Sequence, residues 1–285
     1  MKMWHRLCVL ILSIFIVFGF KIANAQNKYF AFGLGYNFRG NSYFRGEVLN
    51  YNSTGSTSYG NKKSLNISFG QGFNFGAGFG YLFTKNMGAE LAVDYLEGSR
   101  ILTDKNINTY VSGVDKSSFE IQTRSLRFIP SVKMMAEMGK LSPYTRFGFI
   151  ISLINNVREY SFKESTLGTN TTTTVTEWNL TGMMSVGFCG SAGIAYKIKD
   201  HMQLFAECNL LSQSFTPKKE VMNKYEINGT DQLGSLNIID KETDFEKEYS
   251  FNNGIMPDFN APRKVLAVSA PYSSIGFNIG MQIFF

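Results

Sequence analysis

The amino-acid sequence predicts an all-β fold, an eight-stranded, antiparallel, up-and-down transmembrane β-barrel with long external loops. Three observations lead to this prediction. Eight segments alternate bulky apolar residues with small or polar ones, which is the periodicity of a β-strand. The connections between these segments are short and long in strict alternation. The N-terminus has the pattern of an export signal, and no later segment is apolar enough over sufficient length to form a membrane-spanning helix.

The alternation is clear in each of the eight segments. In the first, Phe30, Phe32 and Leu34 are separated by Ala31 and Gly33. Glycine, serine and charged residues occupy the equivalent intervening positions in the other segments. The predicted strands cover residues 30–38, 73–83, 87–95, 126–138, 145–153, 184–196, 202–210 and 275–285.

The connections indicate how these strands are arranged. Tight turns join the second to the third strand, the fourth to the fifth and the sixth to the seventh. The remaining connections are long, at residues 39–70, 98–118, 161–175 and 214–272. This layout is typical of bacterial outer-membrane barrels, in which short periplasmic turns alternate with longer external loops. An alternative with two more strands stays open if part of 214–272 also crosses the membrane.

The composition of the two strand faces predicts which face is outside. One face is bulky and apolar, whereas the other combines glycine and serine with charged residues. An eight-stranded barrel encloses little space, so only the small and charged face fits inside, and the apolar face is expected to contact lipid. The alternative is a secreted soluble barrel that encloses a hydrophobic ligand. In that alternative the glycine-rich face would be the outer surface of the molecule, in contact with water.

The charged residues of the inner face are the first candidate site. Three acids and three bases in a narrow lumen are expected to pair, because an unpaired buried charge is costly. Such pairs would fill the lumen, and the alternative interpretation is a gate or a narrow ion path. The predicted lumen charge network comprises Glu90, Asp94, Arg127, Lys133, Arg146 and Glu207.

The first 25 residues form a predicted signal peptide. Lys2 and Arg6 precede an apolar run over residues 7–20, and Ala23 and Ala25 form a small-residue cleavage site. The run is short for a retained membrane anchor, which is the alternative. Residues 26–285 are then the outer-membrane β-barrel domain. Its net charge is +3, since the signal peptide carries three of the six excess positive charges, and so small an excess predicts no nucleic-acid partner.

The last predicted strand continues to the final residue of the sequence. A closed barrel requires its last strand to pair with its first, because an open strand edge in lipid leaves backbone groups without hydrogen bonds. Its alternating apolar residues resemble the C-terminal assembly signal of bacterial outer-membrane proteins. The predicted assembly signal comprises Phe277, Ile279, Met281, Ile283 and Phe285.

Several sequence segments resemble those of a known protein family. "GFGYLFTKNMGAELAVDYLEG", "SLRFIPSVKM", "LSPYTRFGFI" and "GSAGIAYKIKDHMQLFAECNL" resemble the outer-membrane β-barrel domain proteins of Bacteroidota, which are often described as porin-family and are similar in architecture to OmpA and OmpX barrels. The resemblance implies a location in the cell outer membrane. The partners it implies are outer-membrane lipid, lipopolysaccharide and the barrel assembly machinery. The family has no shared catalytic motif, and the sequence identifies no external ligand.

No catalytic residue, cofactor site or metal site is predicted. His201 is the one histidine after residue 25, and it falls in a predicted periplasmic turn, away from the external side where a lipid-modifying enzyme would need a base. The acidic residues of 240–248 would share one face of an extended hairpin, and a solvated edge is favoured over a cation site. Residues 104–115 only partly imitate a calcium loop, since Thr109 replaces its central glycine.

The two cysteines after residue 25 are predicted to stay as free thiols. Cys189 lies on the lumen face of its strand and Cys208 on the lipid face of the next, so their side chains point apart.

The function predicted from these observations is a non-enzymatic outer-membrane barrel protein with a filled lumen. Its role would be to support the envelope or to make surface contacts through its external loops. The alternatives are a narrow pore for small solutes, an adhesin or surface recognition protein, and a lipid-modifying enzyme.

Overall fold

The structure is a computed structural model that describes residues 27–40, 45–54, 57–249 and 258–285. The predicted signal peptide, residues 1–25, lies outside the described residues. The prediction of an all-β fold is confirmed. Within the described ranges, a main sheet has 16 strands and a second sheet has two.

The secondary structure is almost entirely β. The helical elements are a 3₁₀-helix, Leu233–Ser235, and one short α-helix, α1, Ile238–Lys241. The strands are β1 (Lys28–Arg39), β2 (Arg45–Thr54), β3 (Thr57–Asn66), β4 (Gly72–Leu82), β5 (Met87–Gly98), β6 (Ile101–Tyr110), β7 (Gly113–Met135), β8 (Leu141–Leu167), β9 (Asn170–Gly182), β10 (Ser185–Lys199), β11 (Met202–Ser212), β12 (Ser214–Phe215), β13 (Pro217–Ile227), β14 (Thr230–Asp231), β15 (Glu242–Glu246), β16 (Arg263–Leu266), β17 (Ala270–Pro271) and β18 (Ser274–Phe284).

No helix in the described ranges has the length and apolar character required to cross a bilayer.

Eight long antiparallel strands pair in a circuit. The pairings lead from β1 through β4, β5, β7, β8, β10, β11 and β18, and β18 pairs again with β1. We call these the ring strands. Each of them overlaps one of the eight segments predicted from the sequence, with boundaries that differ by a few residues where the strands are short. The closing pair aligns Phe30 with Ile283 and Phe38 with Ile275.

The two ends of the ring strands differ. At one end, which we call the terminal end, lie Lys28, Phe284 and the three tight turns around residues 83–86, 136–140 and 200–201. We call the other end the hairpin end. There β7 and β8 extend beyond the other ring strands and stay paired as far as Gly113 and Leu167.

Strands also form in the connections that the sequence predicts to be long loops, and this is a difference from the prediction. The outer halves of β7 and β8 pair with β6 and β9, and the sheet extends to β2 and β3 on one side and to β13, β15 and β16 on the other. We call this part the extension sheet. Its strands were missed because many are polar on both faces, as in "NTTTTVTE" of β9, although threonine favours strands.

The ring strands expose their bulky apolar face. Ile279 is 60% exposed and Phe188 is 64% exposed, whereas Lys133 is 1% exposed. This is the reverse of the soluble alternative, in which the apolar face would be enclosed. Exposed members of this face include Phe32, Leu34, Phe73, Phe75, Val93, Phe147, Phe149, Val186, Ile194, Leu210 and Phe277.

Two apolar clusters fill the inside of the ring near its ends. The terminal cluster consists of Tyr29, Ala31, Leu82, Met135, Tyr144, Ala195 and Phe284, with Phe205 packed against it. The hairpin cluster consists of Ile67, Phe69, Leu96, Ile121, Val157, Leu180, Phe215 and Tyr272. Polar and charged side chains occupy the space between these clusters.

Candidate functional site

The centre of the buried polar layer is Arg146. This residue lies on β8, and its guanidinium contacts the carboxylates of Glu90 on β5 and Glu207 on β11. The Nη2–Oε1 distance to Glu207 is 2.5 Å. The two carboxylate side chains are only 1% and 2% accessible, while that of Arg146 is 22% accessible. One guanidinium therefore bridges strands on opposite parts of the ring.

Two tyrosines complete the coordination of these carboxylates. The hydroxyl of Tyr29 donates a hydrogen bond to Glu90 Oε2, and that of Tyr144 donates one to Glu207 Oε2, both at 2.8 Å. Each buried carboxylate thus accepts from one charged donor, Arg146, and from the neutral hydroxyl of a tyrosine. This arrangement satisfies more of its hydrogen-bonding capacity than an ion pair alone, which is the condition under which buried charge is tolerated.

Lys133 is held differently from the sequence prediction. Its Nζ donates a hydrogen bond to Gln282 Oε1 at 3.0 Å and lies 4.5 Å from the ring centroid of Tyr144 and 4.9 Å from that of Tyr29. It forms none of the ion pairs found between described residues. The faces of aromatic rings attract cations. Each tyrosine therefore stabilises Lys133 through its ring and a carboxylate through its hydroxyl.

A third ion pair of the layer joins Arg127 and Asp94. Arg127 Nε and Nη2 donate to Asp94 Oδ2 at 2.9 and 2.5 Å, and the arginine side chain is fully buried. Asn74 donates to Asp94 at 3.3 Å and to Asn278 at 3.0 Å, and Asn278 donates to Glu207 at 3.1 Å. One hydrogen-bonded network therefore connects both ion-pair groups across the ring.

A cavity of about 90 Å³ lies beside this network. Its lining includes Glu90, Arg146 and Glu207, together with small residues of the inner face. The aromatic ring of Phe205 occupies the adjacent space opposite Gly280, where an added Cβ would lie 2.5 Å from that ring. The cavity is large enough for a few water molecules.

The structure thus brings all six predicted lumen residues into one layer of the ring. Five are paired with one another, and Lys133 is not. Tyr29 and Tyr144 were not among the predicted residues, because they lie on the same face as the charged residues but fall just outside the predicted strands. Extending the alternation by one or two residues would have found them. Phe205 departs from the predicted pattern, because its bulky side chain lies on the inner face.

The five residues of the predicted assembly signal share one face of the last strand. Phe277, Ile279 and Phe285 are all more than half exposed, and the Phe285 ring stacks on Phe30 at a centroid distance of 5.2 Å. The Phe285 amide donates to the carbonyl of Lys28 at 2.9 Å, so the pairing with β1 extends to the final residue.

Both cysteines among the described residues are free thiols, as predicted. Cys189 contributes to the cavity lining, while Cys208 aligns with Phe277 on the neighbouring strand.

Neither acidic segment forms the arrangement considered from sequence. Residues 240–248 do not share one extended face, because Asp240 belongs to α1 and only the following residues enter β15. In residues 104–115, Asp104 accepts from the Glu47 amide and Asp115 accepts from the Ser165 hydroxyl, on different elements. Within the described ranges, no group of three or more His, Cys, Asp or Glu residues is arranged to hold a metal ion.

Glu159, in the extension sheet, is a carboxyl group with a raised pKa. Its cross-strand partners are Ile121 on β7 and Trp178 on β9. Burial and the negative charge of Glu220 on β13 raise the pKa of Glu159 to about 7. Burial also raises the pKa of Glu220, although the hydroxyl of Thr243 and the charge of Arg263 oppose that shift.

No protein-family model matches the sequence, and no curated protein matches it significantly.

Replacing Arg146 tests the buried network. Arg146→Gln leaves Glu90 and Glu207 without their shared cation, and we expect a loss of about 3–5 kcal/mol in the free energy of unfolding. Urea unfolding followed by the fluorescence of Trp178 measures this loss. Adding Glu90→Gln to the same variant removes one orphaned charge and should recover part of it.

The matched control is Lys116→Gln, which breaks the exposed pair with Glu164. Exposed pairs contribute about 1 kcal/mol or less. Equal losses for the two variants would contradict a central role for Arg146.

The extension sheet should be less stable at high pH. Glu159 has a folded-state pKa above its ordinary value of 4.5, so the folded state binds its proton more tightly than the unfolded state. Stability contributed by this proton is lost as the pH rises from 4.5 through about 7, with a total effect on the order of 1–3 kcal/mol. Hydrogen–deuterium exchange of β8 and β9 amides, corrected for intrinsic rates, measures the change.

Glu159→Gln should remove most of this pH dependence. The control is Glu177→Gln, which removes a carboxylate from β9 on the opposite face of the sheet. This variant should keep the pH dependence. A pH dependence that persists in Glu159→Gln would show that another group is responsible.

Proposed function

We propose that the protein is an outer-membrane β-barrel protein in which the eight ring strands form a transmembrane barrel with a filled lumen. The observation that carries this proposal is the inverted distribution of residues in the ring. Bulky apolar side chains such as Ile279 and Phe188 are exposed, while Glu90, Arg127 and Lys133 are buried. In water this arrangement loses the hydrophobic contribution of the exposed face, whereas a lipid environment makes it favourable.

Aromatic residues support a membrane boundary at each end of the ring. Phe30, Phe79 and Phe285 contact one another near the terminal end, and Tyr36 contacts both Phe38 and Phe73 near the hairpin end. Phe30 and Phe38 are eight residues apart, which corresponds to about 26 Å along the strand and about 20 Å after allowing for tilt. This separation approximates the apolar band of outer-membrane barrels.

The closed circuit of pairings supports the same proposal. Each ring strand has two neighbours, so none of them presents an unpaired edge to lipid. We also propose the wider assignments made from sequence: export by a cleaved signal peptide, membership of the Bacteroidota barrel family, and insertion by the barrel assembly machinery.

The extension sheet suggests what the barrel is for. We place the terminal end in the periplasm, so that the extension sheet lies outside the cell. A barrel that served only as an envelope component would need no sheet of this size. The proposed role is therefore a membrane anchor that presents a folded β-surface for external contacts. In this proposal a folded sheet takes the place of the long external loops predicted from the sequence.

A charge placed on the ring tests whether lipid surrounds it. Ile279→Arg, near the middle of β18, should destabilise the inserted protein by about 2–4 kcal/mol, because an arginine at the bilayer midplane is costly. The matched control is Phe162→Arg on the extension sheet. Phe162 is also exposed, at 41%, but lies beyond the proposed membrane band.

The measurements are the amount of protein in the outer-membrane fraction and the midpoint temperature of its heat-modifiable gel band. Insertion should fall for Ile279→Arg and remain normal for Phe162→Arg. A soluble ring would tolerate both substitutions, and that outcome would refute the membrane proposal.

The barrel should not conduct ions at a level typical of porins. We expect the terminal and hairpin clusters to close the proposed lumen on both sides of the buried charge layer. In a planar bilayer, the purified protein should give no discrete conductance steps, and a porin reconstituted in the same way provides the positive control. Reproducible steps that depend on solute size would instead favour the narrow-pore alternative.

A further inference from the structure

We propose that the outer surface of the ring binds one phosphorylated membrane lipid, with its phosphate on an arginine cluster of β7, β8 and the β5–β6 connection, and an acyl chain in the adjoining apolar groove, which extends from β7 across β5 and β4 to β1. The inference rests on the proposed membrane location, since it names a lipid that the barrel would hold at a defined place. Two adjoining features of the surface carry it.

The first feature is the arginine cluster at the hairpin end of the ring. It consists of Arg124 on β7, Arg158 on β8 and Arg100 in the β5–β6 connection. Arg158 is exposed and forms no ion pair within the described part of the chain. Arg100 lies 4.0 Å from the centroid of the Tyr160 ring and 3.6 Å from the Glu120 carboxylate.

Arg124 is held in position by one edge of its guanidinium. Its Nε donates to Glu97 Oε1 at 2.8 Å, and Glu97 is its cross-strand partner. The Tyr95 hydroxyl and the Gln122 amide also donate to Glu97, at 2.9 and 3.1 Å. The three arginines face two carboxylates, so the cluster has an excess of one positive charge. Such guanidinium groups suit the planar, two-point recognition of phosphate oxygens.

The second feature is an apolar groove of about 940 Å³ on the ring surface. Its walls include Phe32, Leu34 and Phe75. The groove stays open at Ala77, whose side chain is small, and at Gly76, which has none. The groove is almost entirely apolar. A groove of this kind on a lipid-facing surface fits an acyl chain.

Tyr95 and Leu126 connect the two features. They are cross-strand partners that line the groove, and each lies two residues from a member of the cluster's central pair, Glu97 and Arg124. Two residues on one strand face are separated by about 6.6 Å. A phosphate on Arg124 and Arg158 would therefore sit one step above the groove, as the phosphate of a lipid sits above its acyl chains.

The order of the two features matches the proposed membrane boundary. The groove lies among the exposed apolar residues of the ring, and Arg124 aligns through Glu97 with Phe73, one of the aromatic residues of the hairpin end. A water-soluble anion would use the arginines alone. An amphiphile uses both features, and the observations favour the amphiphile.

Native mass spectrometry in detergent tests the proposal. The purified protein is titrated with dioleoylphosphatidylglycerol, with the matched dioleoylglycerol that lacks phosphate, and with inorganic phosphate. We expect one phosphatidylglycerol to bind in preference to further copies, while the other two probes bind at least tenfold more weakly.

Three variants separate the two features. Arg124→Gln with Arg158→Gln should weaken phosphatidylglycerol binding at least tenfold. Ala77→Phe should also weaken it, because the added ring fills the groove without changing the charge. Arg263→Gln removes the same charge from the exposed edge strand β16 and should leave the affinity unchanged. Heat-modifiable migration establishes that every variant tested is folded.

The outcomes distinguish this proposal from the membrane assignment. Unchanged affinity in the arginine double variant overturns the lipid site, and so does an equal loss in Arg263→Gln. Inorganic phosphate that binds as tightly as the lipid, with no effect of Ala77→Phe, identifies a free anion as the occupant and overturns it as well. The Ile279→Arg insertion test is independent of all three variants, so failure of the membrane assignment would be seen there.

Discussion

The inside of the ring depends on one interaction, the bridge that the Arg146 guanidinium forms between the buried carboxylates of Glu90 and Glu207. Without it, Glu90 and Glu207 would be two negative charges enclosed by apolar clusters, which is among the costliest arrangements in a protein. With it, strands from distant parts of the chain share one charge centre, and the tyrosine hydroxyls set the orientation of both carboxylates. Because each carboxylate accepts from defined donors, the network also disfavours a slip in strand register. Such a slip would transfer Glu90 to the apolar outer face.

This constraint explains why the two faces of the ring strands are so different. The inner face must supply hydrogen-bonding partners in a confined space, which favours small residues beside large charged ones. The outer face carries no such requirement and is mostly bulky and apolar. Beyond the hairpin end the requirement changes, and β7 and β8 continue as strands whose two faces are both polar over much of their length. The same pair of strands thus belongs to two environments.

The sequence was informative where one face of a strand was apolar and the other was not. The ring strands follow from that alternation, and so does the common face of Glu90, Arg127 and Arg146. The extension sheet could not be predicted in this way, because a run such as Thr171–Thr174 has no contrast between its faces. The role of Tyr29 was hidden for another reason. Tyrosine is compatible with either face, and only its partner Glu90 shows which one it occupies.

The seam between β1 and β18 has a consequence for the order of folding. It aligns residues from near the two ends of the described chain, so its formation carries the largest loop-closure entropy of any pairing in the ring. Local hairpins such as β4–β5 and β10–β11 can form first, and the seam is expected to form last. Until then, two strands with unpaired backbone groups coexist with a large apolar surface. The lifetime of that intermediate, rather than the final stability, would determine how much of the protein aggregates.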